Sequence, residues 1–176
     1  MHFKKTSLLG LYILEPSPLS DERGFFARTF CKREFESQGL KSEFVQCNIS
    51  YNHKEGTLRG LHYQQSPHEE TKIVTCRRGR IYDVIVDIRP RSPTLGKWIG
   101  IELSADNLQG VYIPEGFAHG FQTLTNDAEV SYLMGNYFNA EAATGIRYDD
   151  PHLNISWPNP KMIISQKDRN LPLFNL

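Results

Sequence analysis

Cysteine is scarce in this sequence, and its placement argues against both a disulfide framework and a zinc site. Cys31, Cys47 and Cys76 lie far apart, and no pair has the CxxC spacing of a structural zinc site. A small, odd number of scattered cysteines is typical of proteins in a reducing compartment. The sequence therefore predicts a cytoplasmic protein without disulfide bonds.

An excess of either charge is also absent, as is any long hydrophobic run. Twenty Lys and Arg residues balance 20 Asp and Glu residues, so we expect no nucleic-acid or anionic membrane partner. No apolar stretch approaches the roughly 20 residues of a transmembrane helix. The short apolar run that follows Lys4 and Lys5 ends in Glu15 and Pro16 without a small-residue cleavage site. We therefore interpret it as a first β-strand and not as a signal peptide.

Helical patterns are almost missing, and residues 32–38 are the one predicted helix. Turn signals instead separate short runs rich in Val, Ile, Tyr, Phe and Thr, which are typical of strands. The predicted strands are 9–14, 24–30, 44–51, 57–64, 71–76, 80–88, 98–103, 110–113, 120–124, 128–135 and 145–148. Many short strands between turns favour a sandwich or barrel. We predict an all-β jelly-roll domain over residues 1–176 with short peripheral helices.

The strand predicted at 80–88 has two faces of different character. One face is apolar throughout, and the alternation assigns to it Tyr82, Val84, Val86 and Ile88. The other mixes aliphatic and acidic side chains, namely Ile81, Asp83, Ile85 and Asp87. A half-apolar face needs to be covered by another sheet or another subunit, so a homodimer is expected.

The clearest local pattern is GVYIPEGFAHGF at residues 110–121. Its Gly-x3-Pro-x-Gly-x2-His spacing is that of the second cupin motif. Pro114 and Gly116 predict a tight turn, after which His119 begins a strand that faces the barrel interior. By itself His119 is as well explained by a hydrogen-bonded core histidine as by a functional one.

A metal site is not predicted, because the ligands that a metal-binding cupin needs are missing. Such barrels carry a His-x-His and a carboxylate on an earlier strand, whereas here Tyr63 and Gln64 follow His62. Two imidazoles, His62 and His119, do not complete the first shell of a metal. We therefore expect no metal and no cofactor, and histidines that are available for proton transfer.

Three more polar residues lie on predicted strands. Lys72 and Tyr132 share strand faces with apolar neighbours, where burial without partners would be costly. The alternatives are a lysine that reaches solvent and a core tyrosine whose hydroxyl lies at the rim. Arg59 and His62 would lie on opposite faces of a regular strand, but a bulge at Gly60 would turn both inward. No Walker or Rossmann loop is present, so any phosphate would be held by arginine and lysine side chains.

A longer series of motifs now identifies a resemblance. The matching segments are DERGFF (21–26), FVQCNIS (44–50), LRGLHYQ (58–64), the Lys72 strand, YDVIVDIR-x-SPT (82–94), IPEGFAHGF (113–121), SYLMGNYF (131–138), YDDP (148–151), ISWP (155–158) and SQKDRNLP (165–172). Over nearly its whole length the chain resembles the dTDP-4-dehydrorhamnose 3,5-epimerase family. The resemblance implies a cupin-like jelly roll that dimerises, uses no metal or redox cofactor, and inverts C3 and/or C5 of a nucleotide-linked 4-keto-6-deoxy sugar.

The resemblance also implies roles for individual residues. His62 would be the base, Asp168 would orient and polarise its imidazole, and Tyr132 would be the acid on the opposite face. Lys72 with His119 would stabilise the oxyanion at C4, and Arg59 would contact the same region or the sugar. We expect nearby cations to lower the pKa of Tyr132. The positions that match the family around the nucleotide are Arg23, Phe26, Gln46, Asn48 and Tyr137.

Two positions depart from the family pattern, and alternative functions remain open. Arg28 and Cys47 stand where acidic residues are common, so we expect both to change the nucleotide preference. The alternatives for Arg28 are contact with a ribose or phosphate oxygen and a side chain that is simply solvated. One alternative is an enzyme that epimerises a single position or acts as a ketoisomerase. Another is a non-catalytic sugar-nucleotide binding module, which would be expected to lose His62, Tyr132 or Asp168, and the sequence keeps all three.

Overall fold

The computed structural model describes residues 1–174, which form mainly β-strands. The strands are β1 (His2–Lys5), β2 (Tyr12–Glu15), β3 (Leu19–Asp21), β4 (Gly24–Phe26), β5 (Gln46–Asn52), β6 (Thr57–Gln64), β7 (Lys72–Arg78), β8 (Arg80–Asp87), β9 (Trp98–Ser104), β10 (Gly110–Ile113), β11 (Phe117–Thr123), β12 (Ala128–Met134), β13 (Ala143–Gly145) and β14 (Ile163–Ile164). The helices are α1 (Lys32–Ser37) and α2 (Gln166–Arg169). The predicted all-β class with short helices is confirmed. In residues 1–174 no helix has the length and apolar character needed to cross a membrane.

Two large sheets face each other. The first has the order β1-β2-β10-β7-β12-β5, and the second has the order β13-β6-β11-β8-β9 with β14 paired to β6. Alternate residues of each strand point into the space between the sheets. Aliphatic and aromatic side chains from both sheets fill the core there, including Val74, Ile85, Val111, Phe121 and Val130.

The two faces of β8 are covered in different ways. Ile81 and Ile85 lie in the core between the two sheets, so the mixed face is covered by another sheet, as one of the two alternatives predicted. The apolar face, with Val84 and Val86, packs outside against a later part of the chain that includes Leu153. Both faces of β8 are therefore buried within one chain.

Several predicted strands have different bounds. The amino-terminal run forms two paired strands, β1 and β2, and the turn between them contains Gly10 with a φ of 89°. The predicted strand 24–30 ends at Phe26 and forms a two-stranded hairpin with β3. The prediction missed β1, β3, β14 and α2, since two- to four-residue elements carry too little periodicity to be recognised.

Candidate active site

A cavity of about 580 Å³ opens between the two sheets. Seven of the twelve predicted site residues line it, from both sheets: Gln46, Asn48, Arg59, His62, Lys72, His119 and Tyr132. Asp168 does not line the cavity but is hydrogen-bonded to the imidazole of His62. The structure therefore brings together all four residues that were predicted to be catalytic.

The pairing of β6 with β11 explains how Arg59 and His62 both reach the cavity. His119 pairs with His62 and Phe121 pairs with Arg59, so two steps along β11 match three along β6. Gly60, the residue that permits this shift, has a φ of 116°, and a Cβ there would lie 2.6 Å from the Cα of Gly120. Only glycine combines this conformation with so close a backbone approach. The predicted bulge is confirmed.

His62 and Asp168 form the first imidazole–carboxylate pair. Nε2 of His62 lies 2.8 Å from Oδ1 of Asp168, and Oδ2 accepts a hydrogen bond from the Gly60 N–H at 3.2 Å. Ser165 caps α2 by accepting from the Asp168 N–H at 3.1 Å, which fixes the carboxylate behind the imidazole. Burial alone would raise the pKa of Asp168, but the hydrogen bond and charge of His62 and the Gly60 N–H outweigh it and lower that pKa.

A second pair, which the sequence did not predict as a pair, lies deeper. Nε2 of His119 is 2.7 Å from Oδ1 of Asp83, whose side chain is fully buried. Oδ2 of Asp83 has no hydrogen-bond partner within residues 1–174. Burial raises the pKa of Asp83, and the opposing effects of His119 and Lys72 do not compensate for it. The signal for this pair was present in the acidic side chain between Ile81 and Ile85 on a core-facing strand.

Tyr132 is partly buried beside this second pair. Its ring meets that of His119 edge to face, with 6.2 Å between the centroids. Burial raises the pKa of the Tyr132 hydroxyl, the charge of Asp83 raises it further, and Arg59 opposes both. The expectation that nearby cations would lower this pKa is therefore wrong, because desolvation dominates at this depth.

Lys72 is buried and paired, which excludes the alternative of a lysine that reaches solvent. Its Nζ lies 2.8 Å from Oε1 of Glu70 and 3.4 Å from the carbonyl oxygen of His62. Arg59 is also held, since its Nε donates to Oδ1 of Asn52 at 2.8 Å. Glu70 and Asn52 were missed, because nothing in the local sequence marks either one as a partner.

Four predicted nucleotide contacts do not line the cavity of this chain, and their role stays a prediction. Arg23 and Phe26 lie on the β3–β4 hairpin, where their side chains are exposed. Arg28 donates to Glu34 at 3.0 Å, and Tyr137 is 65% exposed. Cys47 is exposed between the cavity-lining residues Gln46 and Asn48, so its side chain points to the opposite face of β5.

The arrangement suits acid–base chemistry beside a carbonyl group. A partly exposed imidazole, a phenol and an ammonium group share one cavity, which places a proton acceptor, a proton donor and a positive charge around a small substrate. Within residues 1–174 there is no group of three or more His, Cys, Asp or Glu side chains that could hold a metal ion.

The fold and this set of side chains define a cupin-type enzyme of the isomerase class. Residues 5–175 match the family model described as dTDP-4-dehydrorhamnose 3,5-epimerase. The chain is 46% identical to the enzyme of that name from Shigella flexneri, over 97% of this chain and 94% of the relative. The chain therefore belongs to the dTDP-4-dehydrorhamnose 3,5-epimerase family.

Two solved structures support the same relationship. The dTDP-4-dehydrorhamnose 3,5-epimerase of Elizabethkingia anophelis superposes with a TM-score of 0.96 at 45% identity, over 99% of this chain and 96% of that one. The dTDP-6-deoxy-D-glucose-3,5-epimerase of Legionella pneumophila, in complex with dTDP-4-keto-L-rhamnose, gives 0.93 at 41% identity, over 98% and 92%. The jelly-roll prediction and the family resemblance are both confirmed.

Proposed function

We propose that this protein inverts C3 and C5 of a dTDP-linked 4-keto-6-deoxy sugar during deoxysugar biosynthesis. The observation that supports this most directly is that His62, Tyr132 and Lys72 line one cavity, while Asp168 is hydrogen-bonded to the imidazole of His62. The membership of the chain in the 3,5-epimerase family adds the substrate class.

The base in this proposal is His62. Its Nε2 is occupied by Asp168, so Nδ1 is the ring nitrogen left to accept a proton from the sugar carbon. The electron pair of the broken C–H bond moves onto the C4 oxygen and forms an enolate. The buried ammonium of Lys72 stabilises that oxyanion. Because C3 and C5 both flank C4, one oxyanion site serves both positions.

Inversion requires that the proton returns on the other face of the ring. Tyr132 donates its hydroxyl proton to the enolate carbon. The phenolate then takes a proton from solvent and the imidazolium of His62 releases one to solvent, which restores both groups for the second carbon. The raised pKa of Tyr132 keeps the hydroxyl protonated well above neutral pH. An enolate carbon is more basic than a phenolate, so the transfer stays favourable.

Proton NMR in deuterated water tests this function. The purified protein is mixed with dTDP-4-keto-6-deoxyglucose, and deuterium incorporation at C3 and C5 is followed together with the ring couplings. We expect exchange and inversion at both carbons. Exchange at one carbon alone would indicate a single-position epimerase, migration of the keto group a ketoisomerase, and tight binding without exchange a binding module.

We also propose that the protein acts as a homodimer. The β3–β4 hairpin exposes Leu19, Phe25 and Phe26 by 74, 59 and 72%, and Ile49 on the edge strand β5 is 67% exposed. Exposed apolar side chains in such number favour burial against a second copy. A hairpin that extends to the partner could carry Arg23 and Phe26 to the partner's nucleotide. Sedimentation velocity tests this, and Phe26→Ser should weaken the dimer.

The substrate class and the free thiols support a proposal for the cellular location. We propose that the protein works in the cytoplasm, where nucleotide sugars are made and where its three free cysteines would stay reduced. Fractionation of cells that express a tagged copy at its native level tests this.

A further inference from the structure

One carboxylate in the cavity has no part in the mechanism described so far. Glu70 lies two residues before Lys72, and its side chain is only 8% exposed. It lines the cavity, and its Oε1 is 2.8 Å from Nζ of Lys72, whose side chain is 7% exposed. A buried carboxylate beside the cation that should stabilise an oxyanion requires an explanation, because it competes for the same charge.

The three N–H donors of the Lys72 ammonium group explain why Glu70 is there. Lysine has three N–H donors and no acceptor. Glu70 takes one donor at 2.8 Å, and the carbonyl oxygen of His62 lies at 3.4 Å from the same nitrogen. Two donors are therefore directed to protein acceptors, and the third is left for the cavity. The two acceptors fix the direction of that third N–H.

Such fixing matters because a lysine side chain is long and flexible. Its four-carbon stem has many rotamers, and a charge stabilises a transition state only if it is held where the negative charge develops. Removal of one member of a buried ion pair leaves the other charge without compensation. Without Glu70 the ammonium of Lys72 would leave its buried position or lose its orientation.

We propose that Glu70 is a positioning residue that holds Lys72 in place for the C4 oxygen of the substrate. This rests on the proposed epimerase function. Glu70 acts through Lys72 and does not itself exchange protons with the sugar. Its contribution therefore lies in the rate of enolate formation and hardly affects nucleotide binding.

The first test compares two substitutions at Glu70 with a neighbouring control. Glu70→Gln keeps the shape and removes the charge, while Glu70→Asp keeps the charge and shortens the reach. Glu69→Gln removes an adjacent carboxylate that forms no ion pair within residues 1–174. For Glu70→Gln we expect kcat to fall about ten- to a hundredfold, part of the loss expected when an oxyanion donor is removed. KM should stay within about threefold, Glu70→Asp should be intermediate, and Glu69→Gln should match the wild type.

A double substitution separates positioning from direct catalysis. If Glu70 acts only through Lys72, then Glu70→Gln should cause no further loss in a Lys72→Met background, as measured by deuterium exchange over long incubations. A further loss there would show that Glu70 acts on the substrate. A wild-type or increased kcat in Glu70→Gln would also overturn the proposal.

A crystal structure of Glu70→Leu, which removes the acceptor as well as the charge, gives a readout that does not depend on activity. We expect Nζ of Lys72 to have moved from the His62 carbonyl oxygen or to be disordered. An unmoved Nζ would overturn the proposal even if the wild type proved inactive. Failure of the wild type to exchange C3 or C5 would instead count against the proposed function, so the two failures are distinguishable.

Discussion

The two imidazole–carboxylate pairs share a cavity but differ in burial. The side chain of His62 is 44% exposed, whereas that of His119 is 6% exposed. The carboxylate of Asp168 accepts a second hydrogen bond from a main-chain N–H and has a lowered pKa, while fully buried Asp83 has one oxygen without a partner and a raised pKa. The first pair combines a carboxylate whose charged form is favoured with an imidazole that is largely open to the cavity. We infer that it supplies the base, and that the second pair supports the ring of Tyr132.

The largest expected effect separates the two histidines. His62→Asn should slow deuterium incorporation at C3 and C5 by about a hundred- to ten-thousandfold, because it removes the base. His119→Asn should slow it by about tenfold or less, because His119 is mostly buried against Asp83 and is not the proposed base. NMR exchange rates measure both. Exchange at the wild-type rate in His62→Asn, or a greater loss in His119→Asn, would reverse the assignment.

A second prediction separates exchange from inversion. Tyr132→Phe removes the proposed donor on the opposite face but leaves His62 able to form the enolate and to return a proton from the original side. We expect epimer formation to fall about a hundredfold or more while deuterium exchange survives. The same NMR spectra report both quantities. A Tyr132→Phe protein that inverts normally would exclude Tyr132 as the acid.

The two carboxylates should affect stability with opposite dependence on pH. The lowered pKa of Asp168 stabilises the folded state above its ordinary value of 3.8, and this stabilisation is lost as the pH falls through the lowered value. The deficit of Asp168→Asn in unfolding free energy should therefore shrink below about pH 4. The raised pKa of Asp83 has the reverse effect, so Asp83→Asn should gain relative to the wild type as the pH rises.

Urea unfolding between pH 3 and pH 7 measures these differences. Parallel pH curves for the two Asn variants would show that the contrast between the pairs is not electrostatic.

In activity, Asp168→Asn should resemble His62→Asn but with a milder loss of about ten- to a hundredfold.

The smallest expected effect lies outside both pairs, at Arg28. Its guanidinium pairs with Glu34 and is 63% exposed, so Arg28→Glu should change stability by less than about 1 kcal/mol. If Arg28 contacts the nucleotide, the variant should shift the relative kcat/KM for thymidine, cytidine and uridine diphosphate sugars by a few-fold. Unchanged ratios would remove Arg28 from the nucleotide site and leave the contrast between the two pairs unaffected.

The sequence predictions succeeded where a local motif marked the residue, and failed where the contact joins residues that are far apart in the sequence. His62 and His119 were recognisable because the spacing of the cupin motifs places inward-facing residues at those two positions. The bulge at Gly60 was predicted because a regular strand would place Arg59 and His62 on opposite faces. Asp168 came from family resemblance alone, because 106 residues separate it from His62. Asp83 and Glu70 were not assigned, since their partners are set by pairing between strands and by burial. The pKa of Tyr132 was predicted in the wrong direction because sequence distance does not report desolvation.

His62 contributes to the cavity through two chemically independent groups. Its imidazole faces Asp168, and its main-chain carbonyl oxygen lies 3.4 Å from Nζ of Lys72. An alanine scan would delete the first group and leave the second intact, so part of what this residue does is invisible to side-chain mutagenesis. Replacement of the peptide bond between His62 and Tyr63 by an ester through chemical synthesis would reveal it, because an ester carbonyl is a weaker hydrogen-bond acceptor than an amide carbonyl. Any transplant of this chemistry to another scaffold must therefore copy the local backbone path as well as the side chains.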